Sequence, residues 1–287
     1  METADLVRKV RVIEIKTRGL SNQIFSGEYH SAFKGRGMAF SENREYAHGD
    51  EIRAIDWNVT ARMGHPYVKV FEEERELTVM VLADISASED FGSKELLKRQ
   101  IITELSAVLA FSAIQNNDKI GVMLFSDRVE KFIPPKKGKS HILRIIRELI
   151  EMKPAGKATS LTTALDYLNN AIKKRCICFV ISDFLDEDFE RSLRVSNRKH
   201  DVVALKVFDP MDRVLPDLGF ALLADPETGQ QRWVNTSSKR VREQWAQNVF
   251  KRDKELTDIF RKCGVDVAEI STACNYVKPL VNLFKRR

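Results

Sequence analysis

The stretch Leu77-Thr78-Val79-Met80-Val81-Leu82-Ala83-Asp84-Ile85-Ser86-Ala87-Ser88 decides the fold class. An unbroken apolar run of this length reads as a strand buried on both faces, the kind that parallel sheets use. It ends in a D-x-S-x-S loop, at the carboxyl end of the strand where open α/β sheets bind ligands. Asp84, Ser86 and Ser88 alternate and can face one turn. A carboxylate and two hydroxyls are hard oxygen donors suited to Mg²⁺ or Mn²⁺.

Two further elements follow downstream. Thr159 lies in Gly156-Lys157-Ala158-Thr159-Ser160-Leu161, and Asp183 follows a second apolar run, Ile177-Cys178-Phe179-Val180-Ile181-Ser182. A helix-capping role for Asp84 and Asp183 is the plain structural alternative. The three parts together resemble the metal-ion-dependent adhesion site of von Willebrand factor type A domains. By that resemblance Ser86 and Ser88 bind a cation directly, Thr159 directly or through water, and Asp84 and Asp183 mostly through water. A cation with few directly bound carboxylates is under-neutralised and favours an incoming Asp or Glu from a partner, or a phosphate.

From Leu77 onward strands and helices alternate, which predicts a mostly parallel, doubly wound α/β sheet with helices on both faces. Helices are expected over Lys94–Gln115, from Ser140 to Ile150, over Leu161–Ala171, near Asp188–Asn197, from Val241 to Gly264, and at the end of the chain through Phe284. Strands are expected over Ile120–Phe125 and Val129–Ile133 as a hairpin ending before Pro134-Pro135, then Cys176–Ser182, Val202–Phe208 and Val265–Ile270. The stretch 209–235 is not required by the alternation. Phe220–Leu223 and Gln231–Val234, joined by Asp225-Pro226-Glu227-Thr228-Gly229, read as a small β-hairpin insertion, with Trp233 as a local packing anchor.

At 287 residues the chain exceeds the usual single core. The expected division is a module over residues 1–76 and an α/β domain over residues 77–287. The first module is expected to hold an amphipathic helix over Asp5–Lys16, with Leu6, Val7, Val10 and Ile13 on its stripe, and then an irregular or β segment dense in glycine, charge and aromatics. Gly35-Arg36-Gly37 lacks the strand-to-helix context of a phosphate loop. Arg44, Arg53 and Arg62 can pair with Glu45, Asp50 and Asp56, either clamping irregular backbone or presenting a recognition surface to a partner. Asp56 and Trp57 are expected to be structural ties.

Gly35-x-Gly37, Phe40-Ser41-x-x-Arg44-Glu45-Tyr46, Gly49-Asp50, Arg53-x-Ile55-Asp56-Trp57 and Ala61-Arg62, joined to the three loops, resemble the bacterial domain of unknown function 58 family. The resemblance covers nearly the whole chain. It implies a type A-like fold and a role beside MoxR-type AAA+ ATPases in assembly, maturation or metal insertion, with the ATPase or its client as protein partner. Glu89 and Asp90 depart from the type A pattern, where small residues or Met are frequent after the second Ser. Phe184 stands where many type A domains have Gly. The added carboxylates could strengthen cation binding or occupy the partner's position.

No apolar run is long enough to span a bilayer, and Met1-Glu2-Thr3-Ala4-Asp5 lacks a signal-peptide core, so a cytoplasmic chain is expected. Cys176, Cys178, Cys263 and Cys274 lack metal-site spacing and read as reduced core residues. Lys plus Arg, 47, exceed Asp plus Glu, 41. The excess concentrates after Asn235, where a solvated helix face is favoured over nucleic-acid or anionic-membrane binding. None of His30, His48, His65, His141 and His200 falls in the three loops, and Asp84-Ile85-Ser86 lacks the second Asp of a D-x-D phosphatase start. A metal-dependent hydrolase is therefore the minority reading against a non-enzymatic interaction module.

Overall fold

In the computed structural model, residues 13, 38–73, 77–93 and 97–287 are described. The expected helix over Asp5–Lys16 and the Gly35-Arg36-Gly37 segment lie outside them, apart from Ile13. The chain forms two compact units, one over Phe33–Leu77 and a larger one containing Thr78–Arg287.

In the smaller unit, β1 (Met38–Glu45) pairs antiparallel with β2 (Tyr67–Glu73), with a bulge between Phe40 and Glu42. The helix α1 (Trp57–Met63) lies between them in sequence. The segment expected as irregular or β is thus a β-ribbon with one helix. The pairing is non-local, and β1 carries Ser41, Glu42, Asn43 and Arg44 where an alternating apolar face would signal a strand. Asp56 caps α1, accepting from the N–H groups of Asn58 and Val59, and lies 3.5 Å from Lys69. Gly64 ends the helix at φ 78°, the left-handed conformation that glycine adopts without strain. Trp57 is 67% exposed, so it is not the tie the sequence suggests.

In the larger unit, β3 (Thr78–Asp84), β4 (Lys119–Phe125), β5 (Val129–Lys136), β6 (Ile177–Ser182), β7 (Asp201–Phe208) and β10 (Asp266–Ser271) form one sheet in the order β10-β7-β6-β3-β4-β5. The intervening β8 (Phe220–Ala224) and β9 (Gln231–Asn235) form a separate antiparallel hairpin. All neighbours in the six-stranded sheet are parallel except β4 and β5. β3 and β6 are central, which explains why both read as continuous apolar runs. β5 runs through Pro134 and Pro135 to Lys136, beyond the expected stop at Ile133. Proline is tolerated there because β5 is an edge strand that needs no ladder donor on its open side. Gly121 allows this close pass: a Cβ there would stand 2.8 Å from the Ile133 carbonyl oxygen and 2.9 Å from the Pro135 nitrogen.

The helices are α2 (Lys98–Gln115), α3 (Lys139–Glu151), α4 (Leu161–Ala171), α5 (Glu190–Lys199), α6 (Pro210–Arg213), α7 (Lys239–Cys263) and α8 (Val277–Arg286). Successive strand residues face opposite ways, and β6 shows where each goes. Phe179 meets Phe284 of α8 edge-on at 6.2 Å. Its neighbour Val180 joins Leu161 and Leu165 of α4 and Phe260 of α7 in a buried cluster. Helices thus cover both faces. α2 is buried along nearly its whole length because it packs on the sheet and on α3. Its expected start at Lys94 lies next to residues 94–96, which are outside the described set.

Cys176, Cys178 and Cys263 are buried free thiols, whereas Cys274 is exposed, contrary to the core assignment. His200 is buried, with Nδ1 3.3 Å from the Cys176 sulfur, and burial lowers its pKa to about 4. Trp233 is 69% exposed and stands opposite Leu222 in the hairpin register. On α7 the basic residues pair along the helix, Lys239 with Glu243, Lys251 with Glu255 and Arg261 with Asp258.

Candidate metal centre

Parallel strands leave unpaired chain ends at their carboxyl edge, and three loops meet there. β3 runs into Asp84, which is fully buried. Its Oδ1 accepts from the Ser86 N–H at 2.9 Å, closing an Asx turn, and its Oδ2 accepts from the Ser182 hydroxyl at 2.6 Å. The turn brings the Ser86 and Ser88 hydroxyls to 3.1 Å of each other. From the end of β6, Asp183 donates its backbone N–H to Glu89 Oε1 at 3.0 Å. Phe184 then takes φ 56°, a left-handed conformation costly for a bulky residue and held here by its N–H bond to Ser182 Oγ.

The third loop is fixed from two sides. Glu130 on β5 accepts from the N–H groups of Ala155 and Gly156, and Ser160 donates to the Ser126 carbonyl. Gly156 is required by proximity, since a Cβ there would stand 1.9 Å from Asp127 Oδ1. Ala87 donates to the Lys157 carbonyl, joining this loop to the Ser86 loop, and Leu161 donates to Asp186 Oδ2, joining it to the Asp183 loop. Thr159 is half-buried, and its hydroxyl donates to Glu227 Oε1 at 2.7 Å.

All five residues of the three-part pattern are therefore on adjoining loops. Sequence reasoning did not include three others. Lys98, the first residue of α2, is 2% exposed, with its ammonium 2.8 Å from Asp183 Oδ2 and 3.6 Å from Asp212 Oδ2. Ser182 orients Asp84, and Glu227 reaches Thr159 from the hairpin insertion. None of these carries a spacing signal, because each arrives by a tertiary contact. Glu89, a departure from pattern that the sequence offers as a further cation-binding carboxylate or an occupant of the partner's position, is fully buried, and its Oε2 has no hydrogen-bond partner among the described residues. Asp84, Glu89 and Asp183 each place one carboxylate oxygen within 4.8 Å of the others.

The electrostatics follow from this crowding. Burial, and then the negative charge of Asp183, push the Asp84 carboxyl up to about 7, against the hydrogen bonds from Ser182 and Ser86. Burial, followed by Asp183 and Asp84, raises Glu89 well above the ordinary range. For Lys98, burial works against the charge, but Asp183, Glu89 and Asp212 outweigh it and raise its pKa. One ammonium thus faces three buried carboxylates. A buried charge must be neutralised by a proton, a counter-charge or a cation.

The basic residues of the smaller unit are arranged differently. Arg44 holds Asp50 bidentately at 2.6 and 2.8 Å. Arg53 and Arg62 are exposed and form no ion pair with a described residue. Asp56, the partner expected for one of them, is engaged in capping α1. Of the histidines, His141 bonds the Ile120 carbonyl and His200 faces Cys176, both away from the three loops.

A doubly wound sheet with an antiparallel edge strand, and three loops converging at the carboxyl ends of its central strands, defines a von Willebrand factor type A-like α/β protein. The chain belongs to the family described as proteins of unknown function DUF58, whose model matches residues 42–255. An uncharacterized protein of Mycobacterium tuberculosis is 28% identical over 285 residues, spanning 98% of this chain and 90% of the relative. Another, from Mycobacterium avium, is 28% identical over 158 residues, spanning 54% of this chain and 93% of its own. Among solved structures, an aerotolerance-related membrane protein from Bacteroides fragilis superposes with a TM-score of 0.51 at 16% identity, over 74% of this chain and 100% of that one. That likeness concerns the fold. No helix among the described residues is long and apolar enough to cross a membrane.

Proposed function

We propose that this chain is a divalent-cation-dependent protein-interaction module. Asp84, Ser86, Ser88, Thr159 and Asp183 would hold Mg²⁺ or Mn²⁺, with Glu89 as a further carboxylate. The observation that carries this reading is Glu89: a fully buried carboxylate oxygen without a partner, beside two other buried carboxylates. Lys98 supplies one positive charge to three buried carboxylates, and a divalent cation would balance them in their ionised form in place of the protons that burial favours on Glu89 and Asp84. Leaving such a charge unpaired in the interior is strongly unfavourable. Hydroxyl and carboxylate oxygens without His or thiolate also suit a hard cation.

When bound, the ion would offer a coordination position to an acidic side chain of a partner protein. The chain's own residues would fix the loops, exclude water from the carboxylates and orient Asp84. By family resemblance the partner is a MoxR-type AAA+ ATPase or its client, and the exposed Arg53 and Arg62 are available to add contacts. The reading is tested by association of the purified chain with the MoxR-type ATPase of the same genome, in Mg²⁺ and in chelator. Binding should require the ion and be lost in Asp84→Ala; equal binding in chelator would refute it.

A further inference from the structure

The hairpin insertion brings a carboxylate to the third loop. Its turn is tightly built: Asp225 accepts from the N–H groups of Glu227 and Thr228 and from the Thr228 hydroxyl, at 2.9, 3.4 and 2.6 Å. Gly229 closes it at φ 71°, where glycine is free of strain. This turn presents Glu227 so that Oε1 accepts a hydrogen bond from the Thr159 hydroxyl at 2.7 Å. The Thr159 oxygen keeps its lone pairs, because it acts as the donor in that bond. It can therefore serve a cation while Glu227 stays in place, and the carboxylate then lies beside a ligand oxygen.

The rest of the hairpin is weakly held. Phe220 and Leu222 on β8 and Trp233 on β9 are 72%, 44% and 69% exposed, so little apolar packing fastens its face to the body. Its base is tied by Thr236, which donates through both its N–H and its hydroxyl to the Gly219 carbonyl and accepts from the Leu218 N–H. The tip is tied by Glu227. An element fixed at its base and touching the site through one carboxylate can leave without unfolding anything else.

We propose that Glu227 is a resident carboxylate of the metal centre, holding the position that a partner's Asp or Glu must take. The inference rests on the cation reading given above and goes beyond it, because it makes the hairpin a competitor that sets partner affinity. The occupant is chemically equivalent to its replacement, so exchange needs no new charge at the ion. A tethered group also competes at high effective concentration, which weakens the apparent affinity of any acidic ligand from outside.

The test uses the full chain loaded with Mn²⁺. Water-proton relaxation reports exchangeable waters on the bound ion, and N-acetylglutamate amide serves as the acidic probe. In Glu227→Gln and Glu227→Ala the relaxation per bound Mn²⁺ should rise, and the probe should bind about tenfold more tightly than to wild type. If wild type binds Mn²⁺ and both variants leave relaxation and probe affinity unchanged, the role of Glu227 is refuted while the cation reading stands. If wild type does not bind Mn²⁺ at all, both fall together.

Discussion

Two turns in this molecule share one local design and have opposite electrostatics. Asp84 ends β3 and Asp225 follows β8, and each accepts the N–H of the residue two positions on. Asp225 stands in water, and its bonds to Thr228 and Glu227 hold its carboxyl below the ordinary range. Asp84 makes comparable bonds, yet burial and Asp183 push it up to about 7. The surroundings, not the turn, decide what the carboxylate can do. In the sealed turn it needs a counter-charge, whereas in the hairpin it is an ordinary solvated side chain. The same contrast separates Glu89, enclosed and unpartnered, from Glu227, half-exposed and bonded to one hydroxyl.

The buried carboxylates depend most on Lys98. Lys98→Met removes the one ammonium that faces the buried carboxylates among the described residues, and should cost about 3–5 kcal/mol of folding stability in chelator, read by urea denaturation. A loss no larger than that of a surface substitution would mean the cluster is already neutral without it. On the hairpin the expected effect is smallest. Trp233→Ser should change stability by less than about 0.5 kcal/mol in the same assay, because the indole is 69% exposed and packs on little. A large loss there would show the hairpin to be part of the folded body and would remove the basis for its release.

Most of the body is legible in the sequence, because burial and periodicity agree there. Central strands buried on both faces read as apolar runs, and α4 over Leu161–Ala171 matches the expected span at both ends. The errors fall where local pattern and tertiary context part. Pro134 and Pro135 signal a strand end, but an edge strand does not need their missing donors. Cys274 reads as core by residue type, yet it is exposed. The β1–β2 ribbon was legible only as an irregular or β segment, because its partners are distant in sequence. In the candidate site, the D-x-S-x-S spacing, Thr159 and Asp183 could be picked out because strand ends punctuate them. Lys98 and Glu227 could not, since helix packing and the hairpin bring them in from regions with no motif of their own.

The central claim, that the three loops and Glu89 hold a divalent cation, is tested most directly by thermal unfolding of wild type and Asp84→Asn in chelator and in millimolar Mg²⁺ or Mn²⁺. A ligand at about 100 times its dissociation constant adds about 2.7 kcal/mol to the folded state. For a chain of this size that corresponds to a rise in Tm of about 5–10 °C. The rise should occur in wild type and be absent in Asp84→Asn. Unchanged midpoints in both proteins, or an equal rise in both, would contradict the account.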